Sequence, residues 1–238
     1  MPGAREWGDP ASSNGASSFH AWWELPGRFR AVAVTLEVLV APVVPRLHFW
    51  ALQVSFERGG VAHLGLQAHP RRPGGTAVNW GGYATGGGEL EGTHSALPSA
   101  LDNPNTRDLA WRTGSANRLR VVPGATEGWW RGEVVDLATQ AVTPVRELRC
   151  PAEWLEHPVV WSEVFAPCDA PSTAVRWSGF AARTPDGRDV RPKVVRATFQ
   201  SVADGGCSNT DTTVEDGAVV QRTTVTRTAQ HGARVPLA

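Results

Sequence analysis

Lysine is nearly missing from this chain: of 23 basic residues, Lys193 is the only one that is not arginine. Excess charge is missing as well, since 23 acidic residues balance the 23 basic ones. No net field therefore draws the chain to nucleic acid or to an anionic bilayer, and no nucleic-acid partner is expected. Long apolar runs are absent. The most apolar stretch, AVAVTLEVLVAPVV, is broken by Glu37 and Pro42 and is too short to cross a membrane. The opening MPGAREWGDPASSNGASS has no apolar segment of the kind a secretory signal carries. The expectation is a soluble protein without membrane insertion, cytoplasmic by default and extracellular if the start is truncated.

Cysteine is scarce. Cys150, Cys168 and Cys207 form no CxxC and have no nearby histidine pair, which argues against zinc. Three thiols allow at most one internal bridge. Cys168–Cys207 is the favoured pair because each lies in a polar loop (PCDAP and GGCSN); three reduced thiols in a cytoplasmic chain are the alternative. Catalytic signatures are also lacking. GxSxG, HExxH and a phosphate loop ending in GK[ST] do not occur, and no ExDxE ladder of acids is found.

What the chain does have is strand signal, with almost no helical periodicity. In RFRAVAVTLEVLVA the residues Val32, Val34, Leu36, Val38 and Val40 share one side. RLHFWALQVSFE follows, and ERGG (57–60) turns it into GVAHLGLQAH, which predicts a hairpin. Further strands are expected at 76–83, 107–113, 117–122, 129–137, 143–148, 159–165, 173–182, 193–201 and 217–227. Turn clusters such as TGSA, PGATEG, TPDG and EDG separate most of them. The one helix expected is short, PAEWLEHP, opened by Pro151 and closed by Pro158. Many short strands with glycine and proline punctuation predict an all-β antiparallel two-sheet sandwich in a single domain. Its boundaries are placed at 19–230, with tails at 1–18 and 231–238.

The hairpin, LGLQ (64–67), the tryptophan strand AVNWGGY, LAWRTG and WWRGEVVDLAT come in an order that resembles the concanavalin A-like, laminin-G-like jelly rolls. More narrowly it resembles uncharacterised bacterial sandwich domains found outside the cell. The likeness spans about 120 residues, 45–165, and rests on the order of short motifs. It implies a jelly roll with a concave face and frequent sugar binding, and it does not imply catalysis.

Two features point to a ligand. Alternation along 60–69 puts His63, Gly65, Gln67 and His69 on one face, opposite Ala62, Leu64, Leu66 and Ala68. Same-face neighbours sit about 7 Å apart, so His63 and His69 are on the order of 20 Å apart and cannot share a metal. A sugar would be held by Gln67 and His69 beside a stacking Trp80. The plain alternative is a solvated sheet face. The second feature is tryptophan, eleven residues in all. In the tandem pairs Trp22/Trp23 and Trp129/Trp130 the two rings must face opposite ways, so one of each should leave the core. Trp23 and Trp129 are the candidates for ligand contact.

Among acids, Glu163 in VVWSEVF is flanked by strand-type apolar residues and shares a face with Trp161. A polysaccharide hydrolase or lyase would need a partner for it from another strand, and His63 is the candidate. Asp102, Asn103, Asn105 and Asp108 offer calcium-type oxygens in one loop, though asparagine and aspartate are also common turn formers. No other cofactor is expected. The leading expectation is a non-catalytic carbohydrate-binding module; a protein-interaction sandwich and a polysaccharide-cleaving enzyme are the alternatives.

Overall fold

The computed structural model describes residues 15–237. Its strands, numbered in chain order, form two antiparallel sheets. The first sheet runs in spatial order β16 (Arg234–Pro236), β13 (Val194–Phe199), β1 (Ser17–Trp23), β10 (Leu155–Val164), β3 (His48–Phe56), β4 (Val61–Ala68), β5 (Thr76–Tyr83) and β6 (Thr106–Asp108). The second runs β14 (Thr210–Glu215), β15 (Ala218–Thr223), β11 (Ala174–Arg183), β2 (Ala31–Val40), β7 (Ala116–Pro123), β8 (Trp129–Asp136) and β9 (Val142–Arg149). The short β12 (Asp189–Val190) pairs with β11. This is an all-β jelly-roll sandwich.

The core lies between the sheets and follows the alternation of each strand. Val32, Val34, Leu36 and Val38 of β2 and Trp177 of β11 pack in one core with Leu64 and Leu66 of β4, Leu52 and Trp50 of β3 and Trp80 of β5. One polar group in this layer makes three hydrogen bonds. The Gln221 amide accepts from Trp177 Nε1 (2.9 Å) and Ser162 Oγ (2.8 Å) and donates to the Phe19 carbonyl (3.1 Å). Because Ser162 and Phe19 belong to the first sheet and Gln221 and Trp177 to the second, one side chain joins the two layers. Leaving that amide unpaired in the core would cost roughly 1–3 kcal/mol. The Cys168–Cys207 disulfide forms, Cα–Cα 5.5 Å, and ties the loop after β10 to the loop before β14. Cys150 is a buried free thiol, and burial raises its pKa.

The β3–β4 hairpin pairs Gln53 with His63 and Phe49 with Gln67. Its turn is built on Gly59 (φ +88°) and Gly60 (φ +92°), a left-handed backbone that favours glycine.

Some expectations fail. Residues 151–158 are not a helix: β10 begins at Leu155, with Glu156 paired to Ser55. The register then shifts before Val159, with His157 at φ +48°. A bulge accepts Pro158 because no ladder donor is needed there, and this tertiary pairing overrides the Pro-framed helix signal. The strand expected at 107–113 shrinks to Thr106–Asp108, and β14 at Thr210–Glu215 lies where no strand was expected. The 19–230 boundaries are too narrow, since β1 starts at Ser17 and β16 pairs with β13. Most of the tail placed at 1–18 lies outside the described residues. Among the described residues, no helix is long and apolar enough to cross a membrane.

Candidate functional site

The outer face of the first sheet, turned away from the second, gathers aromatic and amide side chains. Strand parity alone dictates the membership. If Ala62, Leu64 and Leu66 enter the core, His63, Gly65 and Gln67 must face out, and register carries this outward set across the neighbouring strands. One row reads Trp22, Val159, Gln53, His63, Gly81; the next reads His20, Trp161, Ala51, Gly65, Asn79; a third reads Glu163, Phe49, Gln67, Ala77.

The rings form a continuous band. His20 stacks with Trp22 at 5.9 Å between centroids, and Trp161 meets His20 at 6.5 Å and Phe49 at 4.9 Å. His63 lies 5.7 Å from Phe49, 5.9 Å from Trp161 and 6.2 Å from Tyr83. The ends are open, with Tyr83 45% exposed and Trp22 half-buried, while Phe49 and Trp161 in the middle expose 6% each. From β1 to β5 the band crosses four inter-strand gaps, about 19 Å.

Electrostatically the band is neutral. Burial pushes the His63 and His20 imidazoles down to about 4, so both are uncharged near neutral pH. Trp161 Nε1 donates to Gln53 Oε1 at 3.2 Å, which orients that amide. Beside the rings the floor drops at Ala51 and Gly65. A Cβ on Gly65 would come within 2.1 Å of the Trp50 carbonyl oxygen, so only glycine fits this close approach of backbones. Two amides border the notch. Asn79 Nδ2 donates to Thr106 Oγ1 (2.8 Å), but Asn79 Oδ1 and Gln67 Oε1 are buried with no protein partner among the described residues. A buried acceptor left unpaired is costly, and a ligand hydroxyl would satisfy it.

The structure separates several residues that the sequence reading grouped together. Trp80 is fully buried: it pairs with Leu64, points into the core and donates from Nε1 to the Trp130 carbonyl at 3.3 Å, so it cannot stack on a ligand. Trp23 is the inward member of its pair, edge-on to Phe180 at 5.1 Å; the outward ring is Trp22. His69 falls beyond the end of β4 in a turn, where its Nδ1 accepts from the Arg71 amide (3.3 Å). Partial burial, then Arg71 and Arg72, lower its pKa. Gln67 is on the face, and Trp111 Nε1 donates to its backbone carbonyl. Glu163 is half-buried at the far end of β10 and accepts from Ser18 Oγ at 3.4 Å. Its register partner is Phe49, whereas that of His63 is Gln53. Two strands and four residues thus separate Glu163 from His63, about 16 Å, so they do not form a catalytic pair.

The proposed calcium oxygens are engaged elsewhere. Asn103 Oδ1 accepts from the amides of Asn105 and Thr106, Asn105 Oδ1 accepts from Arg146 (3.2 Å), and Asp108 pairs with Arg72 (3.2 Å). Asp102 shares their loop, and no group of three metal-type side chains occurs among the described residues.

Trp129 lies elsewhere, at one end of the sandwich. Half-buried, it lines a cavity of about 670 Å³ with Trp130, Arg30, Arg58 and Glu153. Gln53, Phe49, Asn79, Tyr83 and His20 were missed from the sequence. For Gln53 the signal was one residue out: a four-residue turn at 57–60 would pair 56 with 61 and so 53 with 64, whereas the hairpin pairs Ser55 with Val61 and Gln53 with His63. For the others, the need was to know which strands are neighbours.

No protein-family model and no curated protein matches the chain. Solved structures do. Scytalido-glutamic peptidase, bound to a peptide-based transition-state analogue, superposes with a TM-score of 0.51 at 9% identity, covering 86% of this chain and 97% of that one. SCP-B, a member of the Eqolisin family of peptidases in complex with the tripeptide Ala-Ile-His, gives 0.51 at 10% identity with the same coverage. Peanut lectin gives 0.32 at 10% identity, covering 92% of this chain and 76% of that one. The broad resemblance to β-sandwich proteins stands, and the stronger likeness is to the peptidases rather than to the lectin. At such identities the chain is similar to these proteins in fold.

Proposed function

We propose that the chain is a binding module for a neutral oligosaccharide, seated across the outer face of the first sheet. The observation that carries this reading is the band of rings from Trp22 to Tyr83, flanked by the unpartnered acceptors Gln67 Oε1 and Asn79 Oδ1. Ring faces take the C–H surfaces of sugars, and amides take their hydroxyls. The two carboxylates on β10 of this face, Glu156 and Glu163, stand seven residues apart, about 20 Å along the strand. A glycosidase needs roughly 5–10 Å. Titration of neutral glucan, xylan and galactan oligosaccharides, followed by tryptophan fluorescence and calorimetry, tests the reading. Saturable binding that falls about tenfold in Trp22→Ala, with the fold intact, is expected. No response to any neutral sugar overturns it.

A second reading is a hydrolase that uses one glutamate, favoured by the position of Glu163 on the same face and by a neighbour in fold named as a glutamic peptidase. Cleavage of a denatured protein substrate between pH 3 and 5, abolished in Glu163→Gln, would replace the binding reading with this one.

A further inference from the structure

We infer that the outer face of the second sheet holds an oxyanion site centred on Arg118, for a sulfate or carboxylate group. A groove of about 390 Å³ crosses β11, β2 and β7 there. Its floor is short: Ala33 pairs with Ala181 on one side and with Arg120 on the other, and Ala31 lies beside Arg183. Arginines form its walls.

Arg118 is held by neutral acceptors and makes no ion pair among the described residues. Its Nη1 donates to the Gly179 carbonyl at 3.0 Å and to Thr35 Oγ1 at 3.5 Å. The register shift of β11 between Ser178 and Ala181 brings Gly179 there at φ +58°, where a Cβ would lie 3.0 Å from that same Nη1. The bulge thus makes a seat for the guanidinium from neutral acceptors. Among the described residues no carboxylate comes within ion-pair distance of it. The two acids near the groove are already held, Asp189 by both arms of Arg183 (2.9 and 3.2 Å) and Glu133 by Arg120 (2.9 Å) and Arg131 (2.7 Å). Burial, then Arg120 and Arg191, lower the pKa of Arg118, and Asp189 opposes them only in part. A preorganised guanidinium beside further arginines recognises planar or tetrahedral oxyanions by charge-assisted hydrogen bonds.

The anion could be free or carried on a sugar chain, and calorimetry distinguishes the two. The probes are sodium sulfate, inorganic phosphate, a sulfated oligosaccharide and the same oligosaccharide desulfated. Saturable binding of the sulfated but not the desulfated chain is expected, weakening as salt screens the site. Arg118→Gln should weaken it at least about tenfold. Ala33→Glu, which puts a carboxylate on the floor and leaves Arg118 in place, should abolish it even if Arg118→Gln folds poorly. Equal binding of free sulfate assigns the site to small ions; binding of the sulfated chain alone assigns it to an acidic saccharide. No saturable binding of any probe, or binding unchanged in Ala33→Glu, overturns the inference. Trp22→Ala should leave anion binding intact, so failure here and failure of the neutral-sugar reading are separate results.

Discussion

The outer faces of the two sheets carry out the same task, covering a sheet surface that has no third strand layer, by opposite means. On the first sheet, rings cover one another: Trp161 and Phe49 are nearly buried because His20, His63 and each other close over them. On the second, arginine stems lie across small residues and trap carboxylates, so that Glu133 is only 3% exposed between Arg120 and Arg131. The consequence is chemical. Stacked rings desolvate their neighbours and keep the imidazoles neutral, whereas guanidiniums keep their surroundings charged. The two ligands proposed for these faces, one neutral and one anionic, follow that difference, although the chain as a whole has no net charge.

Three measurements would break or sharpen this contrast. The largest effect should come from Trp161→Ala. Removing the ring at the middle of the band uncovers Phe49 and His63 and should cost about 3 kcal/mol, read from the denaturant midpoint. A loss below about 1 kcal/mol would mean that the rings do not cover one another.

Glu133→Gln on the other face should cost about 2 kcal/mol, because it leaves Arg120 and Arg131 without their shared partner. The exposed Arg188–Asp186 pair supplies the control, with Asp186→Asn expected to leave the denaturant midpoint unchanged. Equal effects at the two sites would remove the distinction between a trapped carboxylate and a solvated one.

A further effect should appear on acidification. In the folded chain His63 and His20 titrate near 4, and in the unfolded chain near 6.5. Between those values the unfolded state binds more protons, so stability should fall as pH drops from 6.5 to 4, by roughly 2–3 kcal/mol per histidine. His63→Gln should flatten that slope. If stability is level across this window in the parent chain, the ring band does not desolvate its histidines.

Much of the fold was legible because its signals are local. Alternation in β2, β4 and β5 and the ERGG turn each depend on a few adjacent residues, and the pairing of polar loops anticipated the Cys168–Cys207 bridge. The candidate site was legible only in part. His63 and Gln67 follow from parity, but His20 and Trp161 reach them through β1 and β10, strands that the chain order does not place beside β3. The PAEWLEHP segment misled because proline at both ends signals a helix locally, while the pairing of Glu156 with Ser55 and the bulge at His157 belong to the sheet.

For this protein, sequence alone determined that its strands have two unlike faces, that adjacent tryptophans must part, and that no overall charge guides its partners. These follow from bond geometry and composition within a single strand. Tertiary structure decided which of the two faces is covered: Trp22 and not Trp23 turns outward, Trp80 goes inside, and Arg118 meets the Gly179 carbonyl. A strand's own geometry divides its side chains into two sets, but only the stacking of the second sheet determines which set loses its water.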